Sequence, residues 1–346
     1  MPKKLLVYKI AKLVGVFALC RFVTRTRVRI LCYHAASLGD ESSYNPLLFM
    51  SPERFRSRIA WLNRKQFGVV TLDRAVDIAE GGKPAGRLPT VITFDDGWYS
   101  TASCLVPVLA EYRMPSSLYL CTSHFLEGWP VVGVVVNYLI WKAGLQSLDI
   151  AGLHEDINGR YRLDEGEDRH AFHRKACKWL TQVPVDHAIV VDRIGLLAGA
   201  MGMDPDVLAI DTRRFSYMSA DKLRELAGWG CSVELHGHVH KYPAGDAEAF
   251  RNDLVSCRDA IVALGLPEPR HYCYPSGLFD GNAAIVLKAF GARTATTCVP
   301  GLVSRKNPSA WQYFLPRFLD GEAIDMLVFE AEMSGFAHFM RQLFRR

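Results

Sequence analysis

The chain has 346 residues, 49% of them hydrophobic, which is enough to bury the core of one large domain or two ordinary ones. Its net charge of +5 is too small for the strongly basic surface of a nucleic-acid-binding protein, and much of the excess lies near the two ends of the chain. We therefore expect no nucleic-acid partner.

The nine cysteines are scattered along the chain without a Cys-x-x-Cys pair. Several lie inside apolar runs, where cysteine behaves as a small buried hydrophobe. This pattern argues against a disulfide framework or a zinc-thiolate site and favours free thiols in a reducing compartment. We expect a protein that is cytoplasmic or associated with the cytoplasmic membrane.

The first 27 residues form a basic and partly apolar segment. Their apolar run from Leu13 to Cys20 is too short to span a bilayer, which takes about 20 residues. We predict a basic amphipathic helix that contacts a membrane surface, with a membrane anchor or an uncleaved signal as alternatives. The apolar face would carry Leu5, Ile10, Leu13, Val14 and Phe17.

Strand and helix patterns alternate over residues 28–122. Ser51-Pro52-Glu53 begins a helix, because serine caps, proline suits the first helical position and a carboxylate favours the positive end. The predicted elements in chain order are a strand over 28–33, a helix from 51, a short strand over 69–72, a helix capped by Asp73, a strand over 90–94, a helix over 105–112 and a strand over 116–122. This alternation is typical of a parallel sheet, whose functional residues gather at the carboxyl ends of the strands.

Residues 125–215 interrupt the alternation with segments of helical type, and we interpret them as a helical insertion. The later predicted elements are a helix capped by Ser219, a strand over 231–235, a helix over 247–264, a strand over 271–274, a helix over 282–290, a strand over 293–299 and a last element over 315–318. We predict an α/β domain over residues 28–320 and a C-terminal helical tail over residues 321–346.

An Asp-Asp-Gly sequence follows the strand over 90–94. Burying the adjacent carboxylates of Asp95 and Asp96 is costly unless one pKa shifts or a cation neutralises both. Gly97 allows the chain to turn so that both side chains project into a site. Because Asp-Asp-Gly is also common in turns, this tripeptide alone does not decide between a turn and a site.

Three histidines follow the strand over 231–235, at positions 236, 238 and 240. A single histidine is usually structural, but three of them, with two carboxylates at another strand end, suit a divalent ion such as Zn²⁺, or Co, Ni or Mn. A helical turn would put His236 and His240 on one face. An extended chain would instead pair residues two apart, and the spacing does not decide between these arrangements.

The Asp-Asp-Gly sequence followed by His236-x-x-x-His240 resembles the polysaccharide deacetylase family, the NodB-homology or carbohydrate esterase family 4 enzymes. Tyr274-Pro275-Ser276-Gly277 resembles the third motif of that family. Leu31-Cys32-Tyr33-His34 resembles branches in which a Tyr-His strand precedes the aspartate pair. The resemblance covers residues 28–122 and 216–318, and it implies a distorted (β/α)7-type barrel that carries the helical insertion.

The resemblance also implies a metal-dependent amidohydrolase that removes N-acetyl groups from amino sugars of a polysaccharide, an oligosaccharide or a lipid-linked sugar. Asp96, His236 and His240 would hold the metal, and Asp95 would be the general base for the metal-bound water. The backbone N–H at Ser276 would stabilise the oxyanion.

Three further expectations concern the positions around this set. His34 would protonate the departing amine, as in relatives where a histidine on the first strand has this role. Ser276 replaces the aromatic residue of many members, and Cys273 replaces an arginine. We expect Arg317 to hold Asp95 in place of that missing arginine.

Two alternative functions stay open at this point. The same attack by water would hydrolyse a carbohydrate O-acetyl ester, whose leaving group depends less on His34. The altered third motif is also compatible with an inactive glycan-binding barrel at a membrane surface.

Overall fold

The computed structural model describes residues 3–83, 86–303 and 310–344. The described part of the chain contains a central sheet of seven parallel strands, which are β1 Arg29–Tyr33, β2 Thr90–Asp96, β3 Ser116–Leu120, β4 Cys231–Leu235, β5 His271–Cys273, β6 Thr294–Thr296 and β7 Phe318–Leu319. Their spatial order is β6-β5-β4-β3-β2-β1-β7.

The sheet curls so that its two edges approach each other. The backbone N–H of Leu315 donates to the carbonyl of Ala295 at 2.9 Å, and the N–H of Thr297 donates to the carbonyl of Leu315 at 2.9 Å. These bonds join the β6 edge to the segment that leads into β7. The predicted distorted (β/α)7-type barrel is confirmed.

Helices surround the sheet, and further helices stand at both ends of the chain. The described residues form α1 Lys3–Leu13, α2 Val16–Val23, α3 Glu41–Tyr44, α4 Pro52–Arg64, α5 Leu72–Ala79, α6 Val106–Glu111, α7 Thr122–Glu127, α8 Val132–Ala143, α9 Gly166–Leu180, α10 His187–Ala200, α11 Ala220–Gly228, α12 Ala247–Ala263, α13 Ala283–Phe290, α14 Met326–Ser334 and α15 Phe336–Phe344. A π-helical turn, Thr101–Leu105, precedes α6.

Most predicted elements are present, but the region of residues 69–73 differs. Val69 makes an isolated bridge to Thr90, and no strand covers residues 69–72. The helix begins earlier than predicted, since the hydroxyl of Thr71 accepts the N–H of Arg74 as the N-cap. Asp73 lies inside the first turn of α5, so its prediction as the cap was wrong. Threonine is also a favoured N-cap, although a weaker one than aspartate, and here it precedes Asp73 by two residues.

Strand register aligns the carboxyl ends of three central strands. Leu120 at the end of β3 pairs with Asp96 of β2 on one side and with Leu235 of β4 on the other. All seven residues of β2 are buried. Side chains that follow Leu235 therefore emerge beside Asp96, at the end of a parallel sheet where ligands usually bind.

Residues 132–215 build a second hydrophobic core, separate from the core of the barrel. Helices α8, α9 and α10 contribute buried side chains to it, including Leu139, Phe172 and Ile194. The region also contains a two-stranded antiparallel ribbon, Ser147–Ile150 with Gly159–Arg162, which sequence reasoning missed. The helical content of the insertion agrees with expectation, and the domain boundaries remain a prediction.

The two ends of the chain pack together. Tyr8 of α1 and Phe17 of α2 contact the ring of Phe336, with ring centroids 5.5 Å and 5.2 Å apart. The expected single N-terminal helix is broken at Gly15, which has φ +82°. Phe17 is buried against the C-terminal helices, so its prediction on the outward apolar face was wrong.

Candidate active site

Asp96, His236 and His240 converge at the carboxyl ends of β2 and β4. The Nε2 atoms of His236 and His240 lie 3.3 Å and 3.1 Å from Oδ1 of Asp96, and 3.2 Å from each other. Among the described residues, this buried oxygen has no hydrogen-bond partner of acceptable geometry. Polar atoms that are buried are normally satisfied, so one oxygen and two nitrogens facing each other in this way indicate a cation site.

The approach to the site has one solvent-facing side. The side chains of Asp96 and His236 are only 7% and 3% exposed, whereas that of His240 is 32% exposed. One carboxylate oxygen and two imidazole nitrogens match the ligands that Zn²⁺ takes, with an opening left for a further ligand. The residues present therefore fit a divalent ion of the zinc type.

The histidine pair is brought together by a bent loop. The chain does not enter a helix directly after Leu235, and the left-handed conformations of Gly237 (φ +80°) and His240 (φ +51°) reverse it instead. Of the two arrangements considered from the sequence, the structure has the pairing of His236 with His240, but it reaches this pairing without a helical backbone. His238 lies elsewhere, with its Nδ1 atom 2.9 Å from the hydroxyl of Thr122.

Hydrogen bonds fix the orientation of two of these three residues. Nδ1 of His236 lies 2.9 Å from the carbonyl of Cys273, so it carries the proton and leaves Nε2 free to bind a cation. The indole N–H of Trp98 donates to Oδ2 of Asp96 at 2.8 Å. Only Oδ1 of that carboxylate then faces the imidazoles.

The turn after β2 is conformationally demanding. Asp96 has φ +77°, a left-handed value that is unusual for a residue other than glycine, and Gly97 follows with φ +120°. A Cβ atom on Gly97 would lie 2.5 Å from Cδ1 of Leu120. The glycine is required by both conformation and space, and it lets two consecutive aspartates point into the same region.

Charge shifts the ionisation of the cluster. Burial opposes the ionisation of Asp96, but the imidazoles of His240 and His236 outweigh it and hold its pKa well below the usual value. Burial also disfavours a charged His236, yet its contacts with Asp96 and the charge of Asp95 raise its pKa. The pocket thus stabilises positive charge beside the aspartates, which is also what a bound cation requires.

Asp95 lies beside this cluster and is held by Arg317. The guanidinium donates to both carboxylate oxygens, at 2.6 Å and 2.7 Å, and its Nε donates to the carbonyl of Thr297 at 3.1 Å. Arg317 is fully buried. Burial raises the pKa of Asp95, but the Arg317 charge and its hydrogen bonds outweigh this and hold the pKa far below its usual range.

Two cysteine thiols also face Asp95, since Sγ of Cys32 and Sγ of Cys273 lie 3.4 Å and 3.6 Å from its Oδ2. These groups complete two other sets that are close enough to share an ion, one with His34 and one with His236. Arg317 already occupies both oxygens of Asp95, and its charge repels a second cation. Of the three sets, the one that contains Asp96 is therefore the best suited to a cation.

His34 lies at the end of β1, with Nε2 3.9 Å from Oδ2 of Asp95 and a side chain that is 18% exposed. Its Nδ1 atom is buried without a hydrogen-bond partner among the described residues. His338, the histidine nearest the C-terminus, lies instead against Arg27 and Gln342 in the terminal helices. Geometry thus brings His34, and not His338, to the aspartate pair.

Ser276 follows β5 in a short turn, Pro275–Gly277, and has φ +55°. The Pro275 ring lies 3.6 Å from the position of a Cβ atom on Gly237, so this turn packs against the histidine loop. Among the described residues, the backbone N–H of Ser276 has no acceptor. Left-handed residues at Asp96, His240 and Ser276 surround one region, which is where functional strain is usually found.

Sequence reasoning missed three groups of this site. Trp98 was part of the motif, but nothing in the sequence indicated its bond to Asp96. The thiol of Cys32 and the carboxylate of Asp253, which accepts the N–H groups of His238 and Val239 at 3.0 Å, were also missed. A residue that orients a neighbour through one hydrogen bond leaves no spacing pattern that reasoning from a single sequence can detect.

A curled parallel α/β barrel with an Asp-His-His cluster at the carboxyl ends of its strands, beside a second aspartate, has the groups that a metal-dependent hydrolase requires. Comparison with known proteins agrees with this class. Residues 205–295 match the family described as "Polysaccharide deacetylase". The chain is therefore similar over this segment to polysaccharide deacetylases, which are hydrolases that act on C–N amide bonds.

One curated relative is the poly-β-1,6-N-acetyl-D-glucosamine N-deacetylase of Escherichia coli K12, which is 27% identical over 80 residues. That match covers 23% of this chain and only 12% of the relative. It supports the family, while the activity of the whole relative does not transfer with so short a segment.

Solved structures resemble the chain over most of its length. The Streptococcus pyogenes deacetylase PplD in complex with acetate superposes with a TM-score of 0.58 and 12% identity, covering 90% of this chain and 99% of that one. IcaB from Ammonifex degensii gives a TM-score of 0.56 and 16% identity, covering 89% and 97%. At these identities the likeness establishes the fold.

Proposed function

We propose that the protein removes N-acetyl groups from amino-sugar residues of a glycan. The observation that carries this proposal is the convergence of Asp96, His236 and His240 beside the Asp95–Arg317 pair. The name of the Escherichia coli relative, which acts on a polymer of N-acetylglucosamine, supports an acetylated polysaccharide as the substrate. An oligosaccharide or a lipid-linked sugar would present the same acetamide group.

Asp96, His236 and His240 are the residues that would hold the ion, and zinc is the ion we favour, with cobalt, nickel or manganese compatible with the same donors. A bound divalent ion supplies a water of lowered pKa and polarises the acetamide carbonyl. Trp98 and the carbonyl of Cys273 keep the aspartate and one imidazole oriented, so the ligands need little rearrangement.

Asp95 is the proposed general base. Its carboxylate is ionised at neutral pH, because Arg317 holds its pKa far below the usual range. A base of such low proton affinity is effective only toward an acidic proton donor, and this requires the water to be activated first. Arg317 also prevents Asp95 from rotating toward the ion, which separates the base from the ligand Asp96.

His34 and the Ser276 N–H complete the proposed set. The Nε2 atom of His34 lies 3.9 Å from Oδ2 of Asp95 and the side chain is partly exposed, so it is available to protonate the departing amine. The N–H of Ser276, left without an acceptor among the described residues, is suited to bind the oxyanion that forms on the acetyl carbon. The presence of both a proton donor and an oxyanion donor favours amide hydrolysis over a glycan-binding role without catalysis.

Replacing Asp95 by Asn tests the proposal. The variant keeps the size of the side chain and leaves the three ion-binding residues intact, so we expect it to bind zinc as the wild type does. Acetate release from N-acetylated oligosaccharides should fall by a factor of roughly 10² or more. Undiminished acetate release would refute the role of Asp95, and absence of release by the wild type on every acetylated glycan would refute the deacetylase function.

The N-terminal helices support peripheral contact with an anionic membrane surface. Their inner faces are buried on α14 and α15, while large apolar side chains point outward with exposed fractions from 45% to 86%; these are Leu6, Val7, Ile10, Leu13, Val14, Leu19, Phe22 and Val23. Exposed basic residues, including Lys4, Lys9 and Arg25, flank them. Apolar side chains edged by basic ones match the interface of an anionic bilayer.

We also propose that the protein lies on the cytoplasmic side of the membrane. It is supported by the nine cysteines, which are all free. Among the helices in the described residues, none combines the length and apolarity required to cross a bilayer.

A further inference from the structure

A cleft of about 570 Å³ lies between the segment of residues 124–133 and the carboxyl end of α9. Its volume is within the range of roughly 300–1,000 Å³ found for ligand sites. One wall belongs to the barrel through α7, and the other belongs to the insertion. No step of the proposed reaction uses this cleft.

The cleft lies near the carboxyl ends of the strands, as do Asp96, His236 and His240. Helix α7 begins directly after β3, and the N–H of Ser123 donates to the carbonyl of His238 in the histidine loop at 2.9 Å. The ring of the next residue, His124, packs edge-on against Tyr217, with centroids 6.0 Å apart. Tyr217 packs in turn against Trp98 at 5.2 Å, and Trp98 is bonded to Asp96. A short series of contacting side chains therefore connects the rim of the cleft to the ion site.

The lining of the cleft combines an aromatic ring with a few polar groups. Trp129 is half-buried and packs on the core of the insertion, which fixes one edge of its indole. His124 and Glu127 pair at 3.1 Å and are each about one-third exposed. Lys178 is largely exposed, and its Nζ atom lies 3.8 Å from the nearest carboxylate oxygen, of Asp156.

These groups match a neutral sugar better than an anion. Glu127 and Lys178 carry opposite charges, so the cleft does not select a phosphate or a polyanion. A fixed indole can cover the C–H face of a pyranose ring, while an imidazole, a carboxylate and an ammonium can bond to hydroxyl and acetamide groups. Such a mixture of apolar surface and a few directed polar groups is typical of small-molecule sites.

We propose that this cleft binds a second N-acetylhexosamine unit of the same glycan, away from the unit whose acetyl group is removed. The inference rests on the proposed deacetylase function and extends it, because it requires the substrate to be a chain of sugars and assigns part of its recognition to the insertion. Trp129 is the main binding residue, and His124 and Glu127 orient the sugar.

The experiment compares β-1,6-linked N-acetylglucosamine monomer, dimer and tetramer as substrates of the full chain, loaded with zinc, in wild type and in Trp129→Ala. In the wild type we expect kcat/KM to rise with length. In Trp129→Ala, kcat/KM for the tetramer should fall about tenfold because KM increases. The kcat/KM for the shortest substrate that is turned over should stay unchanged. Trp229→Ala is the matched control, since Trp229 is 41% exposed and follows α11 at the opposite, amino end of β4.

Equal kcat/KM for all lengths in the wild type, or an equal loss for all lengths in Trp129→Ala, would overturn the proposal. Calorimetric titration of the tetramer into each protein separates this result from a failure of the deacetylase function. If no acetate is released from any substrate, tetramer binding that weakens about tenfold in Trp129→Ala and not in Trp229→Ala still supports the cleft. Binding that is absent, or equal in all three proteins, contradicts it.

Discussion

Arg317 and Asp95 form a buried ion pair with two parallel hydrogen bonds, of 2.6 Å between Nη1 and Oδ1 and 2.7 Å between Nη2 and Oδ2. Arg317 lies just before β7, 222 residues after Asp95 along the chain. It contacts β2 through Thr93, β5 through Cys273 and the residue that follows β6, Thr297. The pair therefore links the last strand to the proposed base. Such a bidentate arginine–carboxylate pair keeps the carboxylate ionised and fixes its orientation.

Replacing Arg317 by Met tests this dependence. Because burial then acts on Asp95 without its partner, the pKa of Asp95 should rise, and the acidic limb of kcat/KM should move to higher pH. The depressed pKa of Asp95 in the folded protein contributes stability at pH values above the unfolded pKa of ~3.9, and this contribution is lost as the pH falls through the folded pKa. Thermal unfolding should show a loss of roughly 3–5 kcal/mol at neutral pH in the variant.

The control is Arg317→Lys, which keeps the charge but loses the two-point contact. Its acidic limb should stay close to that of the wild type while kcat decreases. An unchanged pH profile in Arg317→Met would contradict the account of how Asp95 is kept ionised.

Replacing Trp98 by Phe removes the hydrogen bond to Oδ2 of Asp96 and keeps an aromatic ring in the core. We expect zinc affinity, measured by competition with a chelator, to fall about 10–100-fold, because groups that orient ligands have effects of this size. Trp61→Phe is the control, since Trp61 is also buried but packs against Phe67 and Phe329 rather than beside Asp96. Equal zinc affinity in the two variants would show that Trp98 does not orient the ligand.

His34→Ala distinguishes an amide substrate from an ester. An amine leaves only after protonation, whereas an alkoxide of an acetylated sugar depends less on an acid, so acetamide cleavage should fall by roughly 10²–10⁴ and ester cleavage much less. Matched N-acetyl and O-acetyl glycosides and an acetate-release assay provide the measurement. Similar losses on both substrates would mean that His34 positions Asp95 and does not donate the proton.

The outward face of the N-terminal helices should mediate binding to anionic vesicles. Leu19→Ser combined with Phe22→Ser removes two exposed apolar side chains without touching the buried face, and co-sedimentation with phosphatidylserine-containing vesicles should decrease. Leu196→Ser with Val207→Ser is the control, because these residues are similarly exposed on the insertion. Binding should also weaken as salt is added. Equal sedimentation of both variants and the wild type would contradict the membrane contact.

The sequence predicts much of the barrel because its strands are short, buried and regularly separated by capped helices. The strand that carries Asp95 and Asp96 and the one that ends at Leu235 are both visible as β-branched or apolar runs before polar residues. The ribbon Ser147–Ile150 with Gly159–Arg162 was missed, since its strands have only four residues each and their inward face is covered by the insertion itself.

The geometry of the site depended on features that the sequence expresses weakly. A histidine spacing of four residues predicts a shared helical face, yet here Gly237 and the left-handed His240 bring the imidazoles together without a helix. The juxtaposition of Arg317 with Asp95 could be proposed only from the resemblance, because contacts across 222 positions leave no local pattern. Similarly, Phe17 was placed on the wrong face because packing against Phe336 involves the other end of the chain.

The central claim is that Asp96, His236 and His240 bind one divalent cation. Anomalous diffraction at the zinc absorption edge, from crystals grown with zinc, tests it most directly. The account predicts one strong peak within coordination distance of Asp96 Oδ1 and of the Nε2 atoms of His236 and His240, and its loss in crystals of His240→Ala. A peak at the cysteines around Asp95, or no peak between the three proposed ligands, would contradict the account.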